Sequence, residues 1–211
     1  MLEENYHDLC TGGLLVFSVP DCSTAIENGD ISMCIHEHIN YFSVKTLKLL
    51  VEAAGFKNVR VFKGVHGGTL FCVAEKQGNR IDKISLAKDY SPVDEFSLFV
   101  KKNQRLCRNL DQFLDQIGHA TIGFYVPLRT IPYLTKLNLL RDFSFYDDSS
   151  FFKNKFLDGF ESKKIRGIEE LKAMPPDYTI VMSHAYGSVI KQKIEALSIN
   201  TKVMLINEFY G

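Results

Sequence analysis

Two imidazoles and a carboxylate stand side by side at His36-Glu37-His38. An imidazole titrates near neutral pH, and a neighbouring carboxylate can hold its tautomer, so such a group suits proton relay. Metal binding is an alternative chemistry, but an HxH pair needs a third ligand and none stands at close spacing. A polar loop ahead of a helix is the third reading. A second candidate is Ser183-His184-Ala185-Tyr186-Gly187, which follows an apolar run. Serine beside histidine suggests a nucleophile, but neighbours on an extended chain point to opposite faces. A polar loop that touches substrate through His184 is therefore the better reading. Arg129, in Pro127-Leu128-Arg129-Thr130-Ile131-Pro132, is the cation best placed to meet a phosphate. Asp147 and Asp148 end another apolar run, where a dinucleotide-type fold puts the acid that faces a ribose hydroxyl. Against nucleotide binding there, the 127–132 loop has no glycine to let phosphate approach the backbone. The five cysteines form no CxxC pair and read as free thiols in a reducing compartment.

A chain of 211 residues, 45% of them apolar, holds one large domain or two small ones with a real core. The formal net charge is zero, so no basic excess points to nucleic acid or to a membrane surface. Apolar runs such as residues 14–19 are too short to span a bilayer. The acidic N-terminus (Glu3, Glu4, Asp8) does not read as a secretion signal, and the expected location is cytoplasmic.

The elements that must carry these groups divide into two units. In the first, residues 1–78, the run Leu14-Leu15-Val16-Phe17-Ser18-Val19 reads as a strand buried on both faces, as in a parallel sheet. Ser43 is placed to cap a helix whose apolar positions are Leu47, Leu50, Val51 and Ala54, with Gly55 at its end. Residues 58–62 and 69–75 read as two strands, antiparallel to each other, around the turn at 63–68. Residues 76–91 are polar and aperiodic, and the linker is placed there. The second unit, residues 79–211, opens with a long helix ending at Gly118. Strands at 120–126, 143–146, 178–183 and 202–206 then alternate with helices at 131–140, 168–173 and 188–197. Pro132 is expected in the first turn of the 131–140 helix. Such alternation predicts a parallel sheet with helices on both faces.

The order of a strand ending in Pro20-Asp21, then His36-Glu37-His38-Ile39-Asn40-Tyr41-Phe42-Ser43, a helix ending Ala53-Ala54-Gly55-Phe56, and His66-Gly67-Gly68-Thr69 between strands resembles the later part of class I S-adenosylmethionine-dependent methyltransferases. More narrowly it resembles the C-methyltransferases of nucleotide-linked keto-deoxysugars. These carry a Tyr-His-Glu-His-x-x-Tyr-Phe-Ser stretch and a His-Gly-Gly-Ser-x-Arg stretch. The implied fold is α/β: the last three strands of a methyltransferase sheet in 1–78, then a helix and a Rossmann-like domain in 79–211. The second half matches at Pro175-Pro176-Asp177-Tyr178 before a strand and at the helix through Ile190. The resemblance implies that His38 is a general base, with Glu37 as its partner, at the sugar carbon that receives the methyl group. His36, Tyr41, His66, Gly67 and Gly68 would shape the substrate side; Arg129 and His184, read above from their own loops, are the second unit's candidate substrate contacts.

Three positions depart from that pattern. Ile35 replaces the family's tyrosine, Thr69 its serine, and Phe71 its arginine; the last removes a cation outright. The resemblance also implies S-adenosylmethionine as cofactor, held by strands that precede the one read as strand five. The chain alone is therefore expected neither to bind that cofactor nor to be active. The expected partners are a nucleotide-linked sugar and either a missing N-terminal methyltransferase half or a second copy. Neither nucleic acid nor a membrane is expected. The alternative is a non-catalytic sugar-nucleotide-binding or remnant protein of the same fold.

Overall fold

The computed structural model describes residues 1–34, 39–65, 68–78, 92–137 and 142–210. It is an α/β chain with a three-stranded antiparallel sheet and a five-stranded parallel one. Two compact units contain them: Met1–Asn28 with Ile35–Phe99, and Gly29–Cys34 with Val100–Gly211.

In the first unit, β1 (Leu14–Pro20), β2 (Lys57–Lys63) and β3 (Thr69–Glu75) lie in the order β1-β3-β2, with β3 antiparallel to both neighbours. Helices α1 (Leu2–Asp8), α2 (Ser23–Asn28) and α3 (Val44–Ala53) complete it. Ser43 caps α3 as expected. Its Oγ accepts the Thr46 N–H, and Thr46 Oγ1 accepts the Ser43 N–H, so two orphan donors are satisfied reciprocally. Tyr6, Leu47, Val51 and Phe56 are buried with Leu70, Cys72 and Ala74 of β3, which fixes the covered face of the sheet.

The expectation that β1 is buried on both faces in a parallel sheet does not hold. It pairs antiparallel with β3, and Leu14 and Val16 are 59% and 62% exposed. Alternate side chains leave opposite faces of a strand, so a sheet covered on one side exposes every second residue, whatever its type. Phe62 and Phe71 stack on that same open face, with ring centroids 5.8 Å apart.

The second unit is built on α4 (Pro92–Gln116), from Val100 onward, and the strands β4 (Ile122–Tyr125), β5 (Phe143–Tyr146), β6 (Ile165–Arg166), β7 (Tyr178–Val181) and β8 (Lys202–Leu205). The parallel order is β6-β5-β4-β7-β8. The chain starts in the middle, winds out through β5 and β6, then returns to the other side of β4. Helices α5 (Pro127–Leu134), α6 (Ile168–Ala173) and α7 (Gly187–Glu195) connect the strands. Leu106, Leu110 and Leu114, spaced four apart on α4, join Phe124, Phe145 and Ile180 in the core on one face of the sheet. Tyr125, Val181 and Val203 bury the other face with Leu171 of α6 and Ile194 of α7. Coverage on both sides is what the continuous apolar runs of this unit predict.

Helix α5 begins earlier than expected. Pro127, not Pro132, stands at its start, and Pro132 is near its end. A proline at the first helical position has its φ already set and lacks only an N–H that would have had no partner. Gly123 in β4 leaves room for the neighbouring strand's ring: a Cβ there would lie 2.7 Å from Tyr146 Cε2 and 3.0 Å from Pro176 Cγ. No helix among the described residues is long and apolar enough to cross a membrane.

Gly123→Ala is expected to destabilise this unit by about 1–3 kcal/mol through overpacking. The check is a urea titration, in which the midpoint should fall with little change in slope.

Candidate functional site

The second unit has one place where the connections leave adjacent strands in opposite directions, between β4 and β7. Ligands of parallel sheets bind outside the carboxyl ends of the strands at such a reversal. The segments leaving those ends and the end of β8 carry a group of polar side chains: Arg129 and the buried Tyr133 on α5 after β4, His184 after β7, and Asn207 and Tyr210 after β8. A fourth segment, Gly29–Cys34, belongs to the same unit and meets them. Its middle is a single 3-10 turn, Ile31–Met33, capped by the Asp30 side chain, which accepts the Ser32 N–H.

Asp30 is the centre of the arrangement. One carboxylate oxygen, Oδ1, lies 3.0 Å from His184 Nε2 and accepts the Tyr133 hydroxyl at 2.8 Å and the Ser32 N–H at 2.8 Å. Its side chain is 6% exposed and that of His184 13%. On the other side of the imidazole, Nδ1 faces Asn207 Oδ1 at 2.9 Å and the Tyr210 hydroxyl. The Tyr210 ring stacks on the histidine with centroids 5.3 Å apart. Arg129 reaches the same segment and donates from Nη1 to the Ser32 carbonyl at 2.8 Å. Ser32 Oγ is buried and has no hydrogen-bond partner. The entry of the segment is fixed from α4: Asn103 donates to the Gly29 carbonyl at 3.0 Å and accepts Lys136 Nζ at 2.7 Å.

The electrostatics follow from burial and pairing. Burial alone would raise the Asp30 carboxyl; the His184 ring, the Ser32 N–H and the Tyr133 hydroxyl outweigh it and hold Asp30 below the usual carboxylate range. Burial and then the Asp30 charge push the Tyr133 phenol well above its ordinary value, and the same causes raise Tyr210. Both phenols therefore stay protonated at neutral pH and act as hydrogen-bond donors. The arrangement can hold an anion at one point and recognise hydroxyl groups around it.

A second polar group lies at the ends of β4 and β5. Tyr125 donates to Asp148 Oδ1, and Lys193 of α7 pairs with Asp148 Oδ2 at 2.7 Å. Asp147 caps its own loop by accepting the Ser149 N–H, and burial raises its carboxyl above the ordinary range. The acid considered for a ribose hydroxyl is thus engaged within the protein in either case.

Of the residues nominated from sequence, Arg129 and His184 are brought to one segment, residues 29–34. Tyr41 and Gly68 lie in the first unit. Gly68 has φ of +69° in the turn before β3, and its carbonyl accepts the Asp21 N–H at 3.1 Å. Glu37, His38, His36, His66 and Gly67 lie outside the described residues. Sequence reasoning missed Asp30, Tyr133, Asn207 and Tyr210; Asn28-Gly29-Asp30 signals a turn, but nothing in it signals a long-range partner.

Among the described residues, neither the turn after β4 nor the strand end after β1 offers a glycine-lined cradle or a carboxylate without partners for S-adenosylmethionine. The turn after β4 has Val126 at φ +69° and Pro127 without an N–H, so it offers no glycine-type backbone cradle and an anion there would have to be held by side chains. After β1, the Asp21 carboxylate is engaged with Ser23 and Lys63. Compared with known proteins, the chain matches no protein-family model and no curated protein.

The Asp30 pairing makes a pH prediction. A carboxyl whose folded value is depressed contributes stability that is present above its unfolded value, about 3.9, and is lost as pH falls through the folded value. Asp30→Asn is expected to cost about 1.5–3 kcal/mol at pH 7, the worth of hydrogen bonds to a charged group. Urea titrations between pH 7 and pH 2 should show a shallower acid loss of stability in the variant than in the wild type.

Proposed function

We propose that this chain is the substrate-recognising part of a C-methyltransferase that acts on nucleotide-linked keto-deoxysugars. The observation that carries the reading is the placing of Arg129 and His184. Both read from sequence as candidate substrate contacts, and they stand on the segments that leave β4 and β7, where a parallel sheet takes its ligand. Two further features support it. The strand order of the second unit, with its reversal beside β4, suits a Rossmann-like domain. The helix after His36-Glu37-His38-Ile39-Asn40-Tyr41-Phe42 is Val44–Ala53, and its N-cap Ser43 is the serine that matches the family's Tyr-Phe-Ser stretch.

In this reading His38 takes a proton from the carbon beside the sugar ketone. Glu37 holds the imidazole in the accepting tautomer, and the resulting enolate is the nucleophile. The enolate oxygen needs donors, which His36, Tyr41 and His66 could provide; Gly67 and Gly68 let the backbone come close. Methyl donation is S-adenosylmethionine chemistry in the family.

A second reading, a sugar-nucleotide-binding protein without catalysis, is favoured by Phe71. Where the family has a cation, this ring stacks on Phe62.

Enolisation needs no methyl donor, so it can be followed by proton NMR of a nucleotide-linked keto-deoxysugar in deuterated buffer. Deuterium should enter at the carbon beside the ketone about 10²-fold or more above buffer, the usual worth of a general base. His38→Ala should abolish the gain while calorimetry still shows binding. Binding without exchange by the wild type supports the second reading. No binding at millimolar ligand removes both.

A further inference from the structure

The Gly29–Cys34 segment lies where a ligand of the parallel sheet belongs, and it presents an anion there. We propose that the crevice beyond the carboxyl ends of β4 and β7 is a site for a phosphate-bearing ligand, and that residues 29–34 occupy it with the Asp30 carboxylate in the phosphate's place. This deepens the sugar-nucleotide reading and rests on it for the class of ligand.

The donors converge as they would on an external anion. His184 Nε2 and the Tyr133 hydroxyl come from two different strand ends, and both address Asp30 Oδ1. His184 is backed by Tyr210 and Asn207, which hold the ring in place. Arg129, whose planar fork matches a carboxylate or phosphate, donates instead to the neutral carbonyl of Ser32. The segment does not satisfy its own polar groups in this seat, because Ser32 Oγ is buried without a partner. A permanent core element satisfies nearly all such atoms. The segment is also short, one 3-10 turn between residues 29 and 34.

Its attachment can be cut at a second point that leaves the carboxylate intact. Gly29 has φ of +71°, and a Cβ there would lie 2.5 Å from the backbone nitrogen of Asn103 and 2.9 Å from the carbonyl carbon of Lys102. Backbone atoms of a helix cannot yield as a flexible side chain would. Gly29→Ala therefore lifts the segment off α4 without removing any donor or charge of the crevice.

The test uses the full chain with uridine 5′-diphosphate and inorganic pyrophosphate as probes. In the wild type, a saturating probe is expected to raise hydrogen exchange at the Ser32 and Cys34 amides at least fivefold. In calorimetry, Asp30→Asn and Gly29→Ala should both bind the probes at least tenfold more tightly than the wild type. Tighter binding by Gly29→Ala separates displacement from mere loss of a negative charge. Arg129→Ala in the Gly29→Ala background should lose that gain. Unchanged or slower exchange at 32 and 34 in the probe-bound wild type overturns the proposal, even if either variant fails to fold. So does the absence of probe binding to any form at millimolar concentration. Release of the segment by diphosphates with no binding of keto-deoxysugar nucleotides keeps the crevice and ends the methyltransferase reading. Sugar binding and exchange with the segment unmoved does the reverse.

Discussion

A carboxylate that is almost fully buried must be answered by donors, and the interior of the second unit is organised around that demand at Asp30. His184, Tyr133 and the Ser32 amide answer it directly, and Tyr210 and Asn207 fix the histidine. An unpaired charge in this position would cost several kcal/mol, whereas a paired one gains its Coulomb energy in a medium of low dielectric. The same requirement draws residues 29–34 into a unit whose remaining residues start at Val100. The sheet supplies the precision. Its strands are covered on both faces, so the segments at their carboxyl ends start from fixed points.

The two sheets illustrate opposite solutions to burial. The parallel sheet lies between α4 and α5 on one side and α6 and α7 on the other, and its central strand β4 is buried at every position. The three-stranded sheet is covered on one face only, and Leu14, Val16, Phe62 and Phe71 lie on the other. An exposed apolar face of this kind is unusual for a protein surface. Composition does not separate the two cases, because a run such as Leu14-Leu15-Val16-Phe17 is equally apolar on either side.

Much of the fold is legible in local chemistry. Ser43 announces the start of α3, the leucines at 106, 110 and 114 the buried stripe of α4, and alternating strands and helices the parallel sheet. The start of α5 was not, because Pro127 and Pro132 are both admissible first-turn residues and only packing chooses between them. The two-residue strand β6 was missed as well; Ile165-Arg166 is too short to show a period.

The residues themselves determined which groups can do chemistry: the imidazoles and carboxylate of 36–38, the guanidinium of Arg129, the imidazole of His184. They also determined the α/β class, since periodicity and capping act over a few residues. Only the tertiary structure decided that Asp30 is the partner of His184 and Tyr133, and that Arg129 holds the carbonyl two residues further on. Those pairings cross some 100 to 150 positions of sequence, and no local rule reaches that far. They arise because burial of a charge is a condition on everything around it in space, and the sheet order alone sets what is around it.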